Sequence, residues 1–214
     1  SLNFRSPYHG WTYTNAGELI GVADLPRYPE GFTTDGLGLI AAPKVASYRG
    51  LIFASLCDEV PSLDQHLSDI KHHIDLWADR SLVGEHTSLI PHRYGYLGNW
   101  KFQAENGVDG YHAGFVHESA LATLAAFGIG KFGFDRAVQQ GLITRGFPGG
   151  HSTLEYGYNS DRGSARSLTD HFEDYLARLI ERHGEDRAKE IVSNRHLFIF
   201  PNVFLFDELI RVIQ

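Results

Sequence analysis

The stretch that decides the interpretation of this sequence is NWKFQAENGVDGYHAGFVHE, residues 99–118. His112 and His117 lie five residues apart in it, and Asp109 lies three residues before the first of them. On an ideal helix a step of five residues turns about 500°, so the two imidazoles can reach one metal ion only if the helix bends or ends between them. We expect that break at Gly114. Asp109 shares a helical face with His112 and can accept a hydrogen bond from its ring.

The residue types of this stretch favour iron over other metals. Two imidazoles completed by one carboxylate form the facial triad of non-heme Fe(II) oxygenases, which leaves coordination positions open for dioxygen. By spacing alone, however, two unrelated histidines on a partly buried helix are the more common explanation. The residues around the two histidines are therefore needed to distinguish a shared metal site from two unrelated histidines.

The composition excludes several classes of protein. The net charge of −7 is spread over 214 residues without a basic stripe, so we expect no nucleic-acid partner. The single cysteine, Cys57, excludes an intramolecular disulfide and an all-cysteine metal site within one chain. No apolar stretch approaches the roughly 20 residues that span a bilayer. We expect a cytoplasmic protein with no membrane partner.

Hydrophobic patterning predicts an α+β fold. Residues 1–35 are rich in turn signals and predict short strands, and apolar runs near residues 39–45 and 51–56 predict a strand pair. Ser62 and Gln65 predict a capping box that opens a helix with an apolar stripe as far as Trp77. His72 and His73 lie off that stripe, so we expect both to be solvated.

Five further elements are predicted along the rest of the chain. They are a strand at residues 87–97, a helix at 99–113, a functional glycine-rich loop at 128–150, a helix at 167–183 ended by Gly184, and a strand at 195–206.

The whole pattern Asn-Trp-Lys-x3-Glu-Asn-x2-Asp-Gly-Tyr-His-x4-His resembles the mononuclear-iron signature of Rieske aromatic-ring-hydroxylating dioxygenases, in their large (alpha) subunit. Residues 105–112 resemble the benzoate, toluate and anthranilate branch more than the naphthalene branch, which has one more residue between Asn and Asp. The resemblance implies that His112 and His117 are iron ligands. It also implies that Asp109 is catalytic and passes an electron from the Rieske cluster of a neighbouring subunit.

A second resemblance lies at residues 6–13, SPYHGWTY, which look like the distal half of the Rieske motif, Cys-Pro-Tyr-His-Gly-Trp. It implies that His9 is a ligand of a [2Fe–2S] cluster, while Ser6 stands where the family has its second Cys. The Cys-x-His half is expected upstream of Ser1. Because a serine alkoxide is a poor substitute for a soft thiolate, we expect no ordinary Rieske cluster in this chain.

The resemblance also implies a domain organisation. Residues 1–37 would be the C-terminal part of a Rieske domain, and residues 38–214 the N-terminal part of a helix-grip (START-like) catalytic domain with an antiparallel sheet. In the family the third iron ligand is an aspartate well downstream of a strand such as the last one here. Four aspartates are present, but none lies at the family's position: Asp135, Asp161, Asp170 and Asp207.

Several residues are candidates for a substrate pocket. Asn106 belongs to the iron motif, His151 follows the glycine-rich loop, and Asn202 follows Pro201 in a strand of phenylalanines. Arg145 and Arg166 are candidate counter-charges for a carboxylated ring.

The function that the resemblance implies is hydroxylation of an aromatic, possibly carboxylated, substrate with Fe(II) and O2. Electrons would come from a reductase, possibly through a ferredoxin, and the assembly would be a homotrimer or three α with three small β subunits. Two alternatives stay open. One is a Rieske monooxygenase or demethylase, and the other is a redox-inactive helix-grip ligand-binding module, which Ser6 and the missing third carboxylate support.

Overall fold

The computed structural model describes residues 3–88, 90–126, 142–155, 171–206 and 209–213. The chain divides into two compact units, Ser1–Val60 and Pro61–Gln214, and each is described by itself. The predicted domain boundary after residue 37 concerns the domains of a family and stays a prediction. None of the helices in the described ranges is long and apolar enough to cross a membrane.

The first unit consists of two small antiparallel sheets. Strands β1 (Asn3–Arg5), β2 (Thr12–Thr14) and β3 (Leu19–Gly21) pair in chain order. Strands β4 (Lys44–Tyr48) and β5 (Leu51–Ser55) form a hairpin around Arg49 and Gly50, whose positive φ angles suit a two-residue hairpin turn. The predicted strand pair is confirmed, although its first strand begins later than expected.

The second unit contains a five-stranded antiparallel sheet in the order β10-β9-β8-β7-β6. Its strands are β6 (Ile143–Phe147), β7 (His151–Glu155), β8 (Arg195–Ile199), β9 (Val203–Phe206) and β10 (Leu209–Val212). This sheet, together with the helices below, confirms the predicted α+β class.

Three strand predictions were wrong. Residues 143–147 were expected in a loop, but pairing with β7 makes them a strand. Residues 128–141 of that predicted loop lie outside the described residues. The strand expected at 195–206 is a hairpin that turns at Phe200–Asn202, since Pro201 has no N–H for a ladder. The described part of 87–97 is not in a strand, because it pairs with none of the described strands.

Two helices cover the region where one was predicted. Helix α1 (Leu63–Leu67) begins with the predicted capping box, and α2 (Ile70–Ala78) follows a break at Ser68, where φ is 42°. The apolar stripe continues through the break, since Leu67, Ile70, Ile74 and Trp77 are all buried. The break turns the chain without exposing the core face.

His73 corrects the expectation of a solvated side chain. It is only 8% exposed and its ring lies against Phe147, whereas His72 beside it is exposed and pairs with Glu190. The apolar stripe is therefore wider than its spacing indicated, because the sheet covers a neighbouring part of α2 as well.

Helices α3 (Trp100–Asn106), α4 (Ala113–Val116) and α5 (Glu118–Ala126) lie along the histidine motif. The single helix predicted at 99–113 was wrong, since residues 107–112 are not helical. Helices α6 (Phe172–His183) and α7 (Glu185–Val192) form a pair around Gly184, whose φ of 82° ends α6 where predicted. A buried cluster joins α2 to this pair: Leu76, Leu179, Ala188, Ile191 and Val192.

Candidate metal centre

The two motif histidines flank a short helix. His112 precedes α4, and its C=O accepts the N–H groups of Phe115 and Val116 at 2.9 Å. His117 lies between α4 and α5. The expected break at Gly114 is wrong, since this residue lies inside α4; the chain turns before and after α4 instead. The rings of His112 and His117 nevertheless lie close together, with centres 5.4 Å apart and planes at 66° to each other.

Both ring nitrogens of His112 have a partner. Nδ1 lies 3.1 Å from Asp109 Oδ2, and because a carboxylate only accepts, Nδ1 carries the proton and donates it. Nε2 is then an acceptor and receives the Asn106 side-chain N–H at 3.0 Å. A metal binding at Nε2 would therefore displace the Asn106 amide from this nitrogen.

Asp109 is held as a carboxylate. The N–H of Tyr111 donates to its Oδ1 at 2.7 Å, and this bond, reinforced by the His112 ring, lowers the pKa of Asp109 below its ordinary value. A carboxylate on the far nitrogen of a ligating imidazole fixes the tautomer and orients the ring. Asp109 therefore orients His112, as the spacing predicted.

The distance between the two ring centres is compatible with one shared metal ion. With a metal–nitrogen bond of about 2.1 Å, the centre of a bound imidazole lies roughly 3.2 Å from the metal. Two rings on one ion are then about 4.5 to 5.4 Å apart for ligand angles of about 90° to 115°. The observed 5.4 Å lies at the wide end of this range. Within the described residues no third His, Cys, Asp or Glu completes a metal cluster, and Asp135, Asp161, Asp170 and Asp207 all lie outside them.

The candidate cluster residues of the first unit form a tight turn. Ser6 N–H donates to Trp11 C=O at 2.8 Å, and Ser6 Oγ accepts the Tyr8 N–H at 3.3 Å. His9 is exposed at the tip of this turn. The donor set does not fit a Rieske cluster, because Ser6 presents a hydroxyl where the cluster requires a thiolate.

Two of the predicted pocket residues are bonded to the backbone elsewhere. His151 is buried, its Nδ1 accepts the Phe200 N–H at 3.0 Å, and its Nε2 donates to His66 C=O at 2.7 Å. Asn202 donates its side-chain N–H to Ile213 C=O. These contacts are structural, so a pocket role for either residue stays a prediction. Arg145 pairs with Glu155, and Arg166 lies outside the described residues.

Sequence reasoning missed the residues that attach the site to the sheet. Thr144 on β6 donates its hydroxyl to Val108 C=O at 3.1 Å, and His196 on β8 lies with Nδ1 3.3 Å from Gly107 C=O. Both are far from the motif in sequence, so no spacing could have indicated them. The glycines of the motif were the available signal, since glycine often marks a close approach of backbone to another element.

His112 and His117, with the Asp109 carboxylate hydrogen-bonded to His112, are the candidate residues of a mononuclear metal site. Residues 71–212 match the family described as the ring hydroxylating alpha subunit (catalytic domain). This match covers more than half of the chain. The chain therefore belongs to the family of ring-hydroxylating alpha subunits, as predicted from the motif.

Individual relatives agree with this assignment. The toluate 1,2-dioxygenase subunit alpha of Pseudomonas putida is 34% identical over 94% of this chain and 45% of its own length. The 2-halobenzoate 1,2-dioxygenase large subunit of Burkholderia cepacia is 33% identical over 99% of this chain and 47% of its own length. The crystal structure of naphthalene 1,2-dioxygenase from Rhodococcus sp. bound to indole superposes with a TM-score of 0.70 at 30% identity, over 95% of this chain and 46% of that one. This chain spans about half the length of these relatives.

Proposed function

We propose that this chain is part of the oxygenase component of an aromatic-ring-hydroxylating dioxygenase and that His112 and His117 hold its mononuclear Fe(II). The observation that carries the proposal is the convergence of the two rings, with the Asp109 carboxylate on the far nitrogen of one of them. Membership of the ring-hydroxylating family supports it. Fe(II) with open coordination positions would supply the activation of dioxygen.

The residues of the chain would contribute orientation and proton placement. Asp109 keeps a proton on Nδ1 of His112, which leaves the Nε2 lone pair available to a metal. The Asn106 amide stabilises that lone pair when no metal is bound. Because Asp109 is already engaged at His112 and Tyr111, it acts as an orienting carboxylate and not as the third ligand.

For the substrate we propose a carboxylated aromatic ring. The supporting observation is the similarity to proteins named for toluate and 2-halobenzoate. The proposed partners are O2, a reductase and possibly a ferredoxin, in a homotrimer or an assembly with small β subunits. In the family electrons arrive through a Rieske cluster, and the Ser6 hydroxyl of this chain does not fit such a cluster.

Hydrogen peroxide can test the proposal without an electron-transfer partner, because it supplies both oxygen atoms and the two electrons. Arene plus H2O2 gives the cis-dihydrodiol with all atoms balanced. We expect the Fe(II)-loaded protein to convert benzoate to a dihydrodiol that carries both oxygen atoms of labelled peroxide, and His117→Ala to form none. Equal product from both proteins would contradict the proposed site.

The same assay separates the alternatives. A phenol carrying one labelled oxygen, or dealkylation of an N-methylated arene, would favour a monooxygenase or demethylase. Binding of benzoate without any iron-dependent product would favour the ligand-binding module.

A further inference from the structure

The segment that carries two of the site residues is residues 107–112, here called the ligand turn. A helix leaves its last carbonyls without N–H partners, and α3 ends just before this turn. In a continuing helix the Tyr111 N–H would bond to Gly107 C=O, but it donates to Asp109 Oδ1 instead. The carbonyls of Gly107 and Val108 therefore need donors from outside the turn.

The sheet supplies both donors. The Thr144 hydroxyl on β6 donates to Val108 C=O, and His196 on β8 donates from Nδ1 to Gly107 C=O, since a carbonyl only accepts. Strands β6 and β8 are the two neighbours of β7, so the donors come from strands roughly 10 Å apart. Two separated bonds restrain the orientation of the turn, whereas one would leave it free to pivot.

The backbone of the turn lies directly on side chains of the sheet region. A Cβ added at Gly107 would lie 2.6 Å from Phe204 Cε1, and one added at Gly110 would lie 2.7 Å from Leu142 Cδ1. Both glycines are buried. The close approach leaves the turn little freedom to shift without losing the two hydrogen bonds.

We propose that Thr144 and His196 are positioning residues that hold the ligand turn and thereby set the direction of the His112 ring relative to His117. The proposal rests on the proposed iron site and deepens it. Asp109 orients the His112 ring within the turn, and the two sheet residues orient the turn itself. Their loss would change the geometry of the histidine pair without removing any ligand.

Thr144 provides the sharper test because its side chain is exposed. Water can replace its hydroxyl at Val108, so Thr144→Val should leave the stability of the metal-free protein near that of the wild type. Weaker metal binding by Thr144→Val would then result from a displaced ligand turn and not from a less stable fold. Thr144→Ser keeps the hydroxyl and should restore the wild-type behaviour. Thr153→Val is the control on the neighbouring strand, since the buried Thr153 hydroxyl bonds to Glu155 and not to the turn.

The experiment is an anaerobic Co(II) titration followed by calorimetry and by the visible absorption of bound Co(II), which reports ligand geometry. Urea unfolding of the metal-free proteins runs in parallel. We expect Thr144→Val to weaken Co(II) binding about tenfold, the low end for groups that support a metal ligand, and to change the Co(II) spectrum. Thr144→Ser and Thr153→Val should retain the wild-type affinity and spectrum.

His196 is tested in the same way with His196→Phe, which removes the donor, and His196→Asn, whose amide N–H can replace Nδ1–H. Unchanged affinity and spectrum in Thr144→Val and His196→Phe would overturn the proposal. His117→Ala distinguishes a failure of the positioning proposal from a failure of the iron-site proposal. If His117→Ala loses Co(II) binding while Thr144→Val and His196→Phe keep the wild-type affinity and spectrum, only the positioning proposal fails. If it binds Co(II) as the wild type does, the iron site fails and the positioning proposal fails with it.

Discussion

Replacing His73 with Phe should make the protein less sensitive to acid. His73 is buried on α2, and among the described residues its Nδ1 has no hydrogen-bond partner; a carboxylate oxygen of Glu155 lies 3.9 Å away. Its ring packs edge-on against Phe147 with centres 5.2 Å apart. A phenyl ring can keep this contact while removing the titratable group.

The magnitude follows from the pKa of His73, which burial lowers from 6.5 to about 4. Arg195 and His72 lower it further, whereas Glu155 and Glu190 oppose the shift. As pH falls through 6.5 the unfolded chain binds a proton at this residue, but the folded protein does not until about pH 4. Stability is therefore lost as pH falls across this window, by about 2 kcal/mol at pH 5 relative to neutral pH.

The assay is urea unfolding of wild type and His73→Phe near neutral pH and near pH 5. We expect the variant to lose about 2 kcal/mol less than the wild type between the two conditions. His92→Phe is the control, because this exposed histidine is not among the groups that shift the pKa of His73. Equal losses in wild type and His73→Phe would refute the assignment of His73 as a histidine that stays neutral when folded.

Three further predictions concern other parts of the chain. His151→Phe should lower the free energy of unfolding by about 2 to 4 kcal/mol in urea denaturation, because it leaves two backbone groups without partners; no loss would contradict the structural role of this ring. Gly107→Ala should lower the free energy of unfolding by roughly 1 to 3 kcal/mol, because the added Cβ would meet the ring of Phe204. Gly146→Ala adds a Cβ in open space and should leave the free energy of unfolding nearly unchanged. Equal losses in the two variants would be inconsistent with the close approach of Gly107 to Phe204. After reconstitution with iron and sulfide, the chain should show neither Rieske absorption nor a rhombic g-tensor signal, since Ser6 lacks a thiolate; either feature would show that the hydroxyl suffices.

Local signals in the sequence predicted local structure well. The capping box at Ser62 and Gln65 is present in full, and Gly184 ends α6 where its conformational freedom indicated. The structure also places the rings of His112 and His117 close together, because the motif itself contains the residues that turn the chain between helices, and their role as iron ligands stays a prediction. The helix break was misplaced, since an ideal helical wheel cannot show that α4 is separated from both of its neighbours.

Contacts between distant residues could not be predicted in this way. The burial of His73 depends on strands far along the chain, and so does the docking of the ligand turn by Thr144 and His196. Strand β6 was missed because its pairing with β7, and not its own glycine-containing sequence, makes it a strand. In each case the contacting residues lie too far away in the sequence to affect the local pattern of apolar and polar residues.

The claim that His112 and His117 hold one iron ion can be measured directly by anomalous diffraction at the iron absorption edge, from crystals grown anaerobically with Fe(II). We predict one strong peak within about 2.0 to 2.3 Å of an imidazole nitrogen of each histidine, with the Asn106 amide displaced from His112 and Asp109 still on Nδ1. A peak bound to only one of the two histidines, or iron located elsewhere on the chain, would contradict the shared site.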